Sequence, residues 1–251
     1  MANLPDIVSF CDERVRTREI KDFPGAVNGL QFENDGRVTR VGAAVDAGLV
    51  PFQMAVEKGI DLLIVHHGMF WETPVPMTGV TRRKLGILVE GNLAVYGSHL
   101  PLDLHPEIGN NAILAGKIEL PVVDAFLEYE GNRIGMVAEG PITRQDLANR
   151  LRARFPHSFR AIECGSEKPE RIGILTGSGQ SALPELKRAG IDTLITGELK
   201  QNAFNTAQEE GLNLYLCGHY QTEVAGVCAL AREVAAKFGV PWEFLATGCP
   251  L

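Results

Sequence analysis

Arg40-Val41-Gly42 returns 131 residues later as Arg171-Ile172-Gly173, and Gly59-Ile60-Asp61-Leu62-Leu63-Ile64 returns at the same offset as Gly190-Ile191-Asp192-Thr193-Leu194-Ile195. Gly48 and Gly179 stand in the same relation. At an offset of 120, His99 meets His219, Asp103 meets Glu223 and Pro121 meets Pro241. A chain of 251 residues that repeats itself this way divides naturally into two lobes of one design, each with a modest core. The expected division gives a first lobe over residues 1–125 and a second over 126–251. The final helix and residues 242–245 are free in this reading to pack back on the first lobe.

Apolar spacing at three and four residues predicts helices over 3–18, 50–58, 81–90, 110–117, 143–155, 181–189, 204–210 and 222–238. Thr143 and Asp146 have the spacing of an N-terminal cap. Strands are expected at 29–32, 38–45, 61–65, 93–96, 133–137, 159–164, 171–175, 192–195 and 213–217. Several of these are unbroken apolar runs, as in strands covered on both faces. Alternating strands and helices predict an α/β fold with largely parallel sheets, two related three-layer lobes with a cleft between them.

Composition narrows the classes. A hydrophobic fraction of 45% and a charged fraction of 22% are those of a globular domain. No apolar run approaches the roughly 18 residues of a membrane span. No basic stretch leads an apolar one at the N-terminus, so no secretory leader is expected. Five cysteines without a Cys-x-x-Cys pair point to free thiols in the cytoplasm. The net charge of -7 argues against nucleic acid as an obligatory partner, though a local basic patch stays open.

The histidines carry the chemistry. His66-His67 follow one predicted strand, His99 follows another with Asp103 four residues on, and His219 follows a third with Glu223 four residues on. Carboxyl ends of strands are where open α/β sheets place their crevices. Imidazole nitrogens and carboxylate oxygens suit zinc, manganese, iron, cobalt or nickel. Adjacent strand side chains point to opposite faces, so His66 and His67 are expected to serve different ions. His157, beside Pro156, reads as a surface residue, and His105, before Pro106, as a loop residue.

Four ordered motifs then carry a resemblance. Leu63-Ile64-Val65-His66-His67-Gly68, Ser98-His99-Leu100-Pro101-Leu102-Asp103 with Gly109-Asn110-Asn111, Ile195-Thr196-Gly197-Glu198-Leu199-Lys200, and Gly218-His219-Tyr220-Gln221-Thr222-Glu223 resemble the motif set of the Nif-three-like family, as does Asn28-Gly29-Leu30-Gln31. Members are dinuclear-metal proteins often labelled GTP cyclohydrolase I type 2. The resemblance implies two divalent ions per subunit on His66, His67, Asp103, His219 and Glu223, with Glu223 bridging. It also implies a toroidal homohexamer with its sites facing an inner cavity. Asn202 departs from the family, which often has a histidine there, and no extra domain separates the halves.

On this scheme His66 and His219 serve one ion, His67 and Asp103 the other. His99 is the candidate for moving protons, or else a further ligand. Glu198 and Lys200 are candidates for holding the ligands from behind, or else a helix cap and a surface charge. Gly177-Ser178-Gly179, between a strand and a helix, is a candidate phosphate cradle or simply a tight turn. Phe70 and Trp71 are candidates for a wall against a base or other flat substrate, or for core packing or a subunit contact. The expected function is metal-dependent hydrolysis of a small molecule such as a nucleotide, extending to cyclohydrolase-like opening of GTP. The competing expectation is a metal-stabilised hexameric scaffold or regulator that binds a partner or nucleic acid.

Overall fold

In the computed structural model, residues 2–71 and 76–251 are described. Its elements begin with β1 (Ala2–Asn3), α1 (Leu4–Arg14), β2 (Gly29–Phe32), β3 (Arg37–Val38), β4 (Val41–Asp46), α2 (Leu49–Glu57), β5 (Leu62–His67), α3 (Gly79–Glu90), β6 (Ala94–Gly97) and α4 (Leu100–Asp103). They continue with α5 (Asn110–Lys117), β7 (Val122–Tyr129), β8 (Asn132–Ala138), α6 (Arg144–Arg154), β9 (Arg160–Glu163), β10 (Ile172–Ser178) and α7 (Leu183–Leu186). Last come β11 (Thr193–Glu198), α8 (Ala203–Glu210), β12 (Asn213–Leu216), α9 (His219–Phe238) and β13 (Trp242–Phe244). The fold is mixed α/β.

Two units emerge: residues 1–102 with 226–248, and residues 103–225 with 249–251. The first unit holds a five-stranded sheet of order β13-β4-β5-β6-β2, parallel except where β2 runs against β6. Ala44, Phe52, Leu63, Val65, Leu88 and Val95 form its core, joining strand residues to α2 and α3. The apolar run at 62–65 is fully buried, as its composition requires. The expected strand over 38–45 breaks into β3 and β4, because the Thr39 and Arg40 N–H groups turn aside to the Asp61 carboxylate.

The second unit holds a six-stranded sheet of order β7-β8-β10-β11-β12-β9. Only β10, β11 and β12 pair in parallel; β7, β8 and β9 run antiparallel. The expectation of largely parallel sheets therefore fails for its outer strands. The two residues Glu130 and Gly131 join β7 to β8, a connection that only an antiparallel pair can make.

The repeat is visible inside each unit. Val41 pairs with Leu62 and Ile172 with Thr193, one register 131 residues apart. Asp61 Oδ2 accepts from the Thr39 and Arg40 N–H groups at 2.5 and 3.0 Å; Asp192 Oδ2 accepts from Glu170 and Arg171 at 2.8 and 3.4 Å. A Cβ on Gly42 would meet Ile60 Cδ1 at 2.9 Å, and one on Gly173 would meet Ile191 Cδ1 at 3.3 Å. The repeated residues are those that close a strand–helix–strand unit tightly.

The units part after Leu102 rather than after residue 125. Asn111, at the head of α5, explains this: its Nδ2 donates to the Ile134 carbonyl at 3.0 Å and its Oδ1 accepts from the Thr176 N–H at 2.8 Å, tying α5 to β8 and β10. Residues 226–248 return to the first unit, where β13 adds to β4 and Glu233 takes two hydrogen bonds from Arg14 at 2.7 and 3.0 Å. Among the described residues no helix is long and apolar enough to cross a membrane.

Candidate metal centre

In the first unit β5 ends on His66 and His67, and His99 follows β6 by two residues. One ligand atom from each of the three lies within 4.8 Å of the others, so they can hold a metal ion together. Ring centroids are 5.0 Å apart for His66 and His67, 4.9 Å for His66 and His99, and 5.8 Å for His67 and His99. His66 and His67 were expected to serve different ions, and their rings lie side by side at the end of β5. Pairing with β6 stops at Val65 and Gly97, so both rings stand at the end of the sheet and can lean toward each other.

Each imidazole is oriented through Nδ1. His66 Nδ1 donates to the Ser98 carbonyl at 2.9 Å, His67 Nδ1 to Asp46 Oδ1 at 2.8 Å and His99 Nδ1 to Asp22 Oδ1 at 2.8 Å. An acceptor at Nδ1 fixes the proton there and puts the ring lone pair on Nε2, the tautomer a metal needs. Burial alone would raise the Asp22 carboxyl, but hydrogen bonds from His99, Asn28 and the Phe23 N–H outweigh it and hold the group below the usual carboxylate range. Asn28 also accepts from the His99 N–H at 2.7 Å, and Gln31 Oε1 accepts from the Met69 N–H at 2.6 Å. A Cβ on Gly68 or Gly97 would collide with the Gln31 side chain, so the motif around Asn28 and Gln31 braces both histidine-bearing segments.

In the second unit, α9 opens on His219, with Glu223 one turn on and 2% exposed. His219 Nδ1 lies 3.0 Å from Glu198 Oε1 and its Nε2 3.2 Å from Glu223 Oε1. The Glu223 hydrogen bond does most to raise the His219 pKa, to about 9, against the opposing pull of burial. Gly177, at φ +68°, presses its backbone against this pair: a Cβ there would collide with Glu223 Oε1 and meet His219 Nε2 at 3.2 Å. Thr222 Oγ1 accepts from the Gly177 N–H at 3.0 Å and fastens the turn to α9. Cys217 is buried, and burial pushes its thiol up to about 12, so it packs as a neutral group.

This donor chemistry of imidazoles fixed at Nδ1 with a buried carboxylate fits divalent transition metals. A family model described as Duf34/NIF3 (NGG1p interacting factor 3) matches residues 2–248. The chain belongs to the DUF34/NIF3 family. A Deinococcus radiodurans relative named GTP cyclohydrolase 1 type 2 homolog is 39% identical over 222 residues, 88% of this chain and 84% of the relative. A protein of the same name from Escherichia coli K12 is 36% identical over 236 residues, 90% of this chain and 91% of that one. Among solved structures, TTHA1606 from Thermus thermophilus is 36% identical with a TM-score of 0.89, and each chain is covered completely.

The remaining predicted residues divide. Asp103 closes α4, is 7% exposed, and accepts from Asn110 Nδ2 at 2.7 Å. Of Glu198 and Lys200, it is Glu198 that touches a histidine; Lys200 is exposed. Gly177-Ser178-Gly179, the candidate phosphate cradle or tight turn, has two of its N–H groups engaged within the protein. Its Gly177 N–H goes to Thr222, its Gly179 N–H goes to the Glu198 carbonyl at 3.1 Å, and Ser178 is paired in β10. In this DUF34/NIF3 chain Gly177 packs closely against His219 and Glu223, and Gly179 against Thr196. His105 is structural, its Nδ1 accepting from the Glu107 and Ile108 N–H groups at 3.1 Å. His157 is exposed. Sequence reasoning missed Asp22 and Asp46, which lie 77 and 21 residues from the histidines they orient.

Proposed function

We propose that this protein is a divalent-metal-dependent hydrolase, with two ions per subunit bound by His66, His67, His99, His219, Glu223 and Asp103. The observation that carries the proposal is the common treatment of the four histidines: each has Nδ1 against a carbonyl or carboxylate oxygen. Side chains kept for packing alone have no need of that uniformity. Bound divalent ions supply Lewis acidity for the attack of water on an electrophilic carbon or phosphorus.

The chain's own residues would divide the work as follows. Asp22, Asp46 and Glu198 hold the imidazoles in one tautomer, and Asn110 holds the Asp103 carboxylate. Glu223, buried and four residues from His219, would hold metal together with that histidine. His99 is assigned to the ligands, because the Asp22 carboxylate pins its ring beside His66 and His67. The names of the relatives support a nucleotide substrate, with hydrolytic ring opening of GTP as the specific case. We place the protein in the cytoplasm as a homohexamer, for which light scattering should return six chain masses.

The test is metal analysis of protein purified without chelator, followed by a substrate screen of nucleotides and phosphoesters with manganese, zinc, iron and nickel. Turnover that vanishes in Glu223→Ala is the expected result. Bound metal with no turnover on any substrate would overturn the hydrolase and leave a metal-stabilised scaffold.

A further inference from the structure

Two large aromatic side chains beside the histidine trio are left partly open to solvent: Phe23 is 38% exposed and Trp71 is 36% exposed. Neither is loose. Trp71 donates its Nε1–H to the Gly68 carbonyl at 3.1 Å, one residue after His67. Its ring centroid lies 4.9 Å from that of His99 at an interplanar angle of 80°, and 5.9 Å from that of His67 at 64°. The Phe23 N–H donates to Asp22 Oδ1 at 2.7 Å, the same oxygen that receives His99 Nδ1, and its ring lies 5.6 Å from the His99 ring. The Trp71 ring is therefore held by its own hydrogen bond, and the Phe23 backbone is tied to the carboxylate that orients His99.

We propose that Trp71 and Phe23 form a subsite for a planar heteroaromatic ring, of the nucleobase class, beside the histidine trio. The position of this subsite next to the chemistry rests on the metal-centre reading above; its ring selectivity does not. A single exposed aromatic residue is ordinary. Two of them within 6 Å of one histidine, one held through its indole N–H, offer exposed π faces, and such faces accept flat rings by stacking. The angles add a direction. A ring laid parallel to the indole would stand nearly perpendicular to the His99 imidazole.

Trp71 and Trp242 are the two tryptophans of the chain, so Trp242→Phe leaves Trp71 as the only indole emitter. In that background guanosine 5′-monophosphate should quench the emission saturably, while ribose 5-phosphate, which lacks the ring, should leave it unchanged. By calorimetry, Trp71→Leu in the otherwise native chain should weaken binding of guanosine 5′-monophosphate at least about fivefold. Trp71→Phe should restore most of the affinity, and both variants should keep their divalent metal. Equal responses to the two probes, native affinity in Trp71→Leu, or loss of metal together with ring binding would overturn the subsite. Ring binding by a wild-type protein that holds no metal would sink the metal centre and leave the subsite standing. Bound metal without any ring response would do the reverse.

Discussion

Asp22 collects four donors on one carboxylate: the Phe23 and Leu100 N–H groups at 2.7 and 3.0 Å, Asn28 Nδ2 at 2.8 Å and His99 Nδ1 at 2.8 Å. Its side chain is 4% exposed, so water cannot replace it. Asp22→Ala should lower the unfolding free energy by about 1–3 kcal/mol, measured by urea denaturation. It should also weaken divalent metal binding roughly 10–100-fold by calorimetry, since His99 loses its orienting partner. Unchanged metal affinity would show that His99 is not a ligand. Gly177 tests the pair of His219 and Glu223. Gly177→Ala puts a methyl on a left-handed backbone and against Glu223 Oε1, so Glu223 must move. Loss of metal in that variant, with a melting temperature several degrees lower, is the expected outcome. His66, His67, His99, His219 and Glu223 could be singled out in the sequence because few residue types bind metals and the histidines stood just after predicted strands. Asp22 and Asp46 could not be, since only the folded chain says which of 31 acidic side chains reaches an imidazole.

At the scale of elements, periodicity located what local chemistry determines. The helix expected over 110–117 is α5 to the residue, and the expected cap of α6 is present: Thr143 Oγ1 accepts from the Asp146 N–H at 3.1 Å. Thr143→Ala should cost about 1 kcal/mol, lowering the melting temperature by roughly 2–4 °C while leaving metal content unchanged. A shift in metal content would mean that α6 supports the site. What was missed is equally specific. β7 alternates poorly, with Val122 and Val123 both exposed, so no period-2 signal marked it as a strand. α9 begins at His219, three residues before the expected start. The glycine pattern at Gly177 and Gly179 suggested anion binding, but close packing against Glu223 and Thr196 uses the same residues.

For the molecule as a whole, the repeat carried most of the fold. The parallel strands β4-β5-β6 and β10-β11-β12 were readable because the residues that close each unit, Gly42 with Ile60 and Gly173 with Ile191, recur at one spacing. The return of β13 to the first sheet follows from tertiary pairing with β4, which no local pattern announces. The functional account needs both copies. The first unit supplies three imidazoles and the second an imidazole with a buried carboxylate, and the proposal is that they share two ions. Anomalous scattering at the absorption edge of the bound metal, from crystals grown without chelator, tests this most directly. The account predicts two peaks per chain, each roughly 2.0–2.2 Å from imidazole Nε2 atoms or carboxylate oxygens of the named residues. Well-ordered crystals with no peak among His66, His67, His99, His219 and Glu223, from protein shown to contain metal, would contradict it.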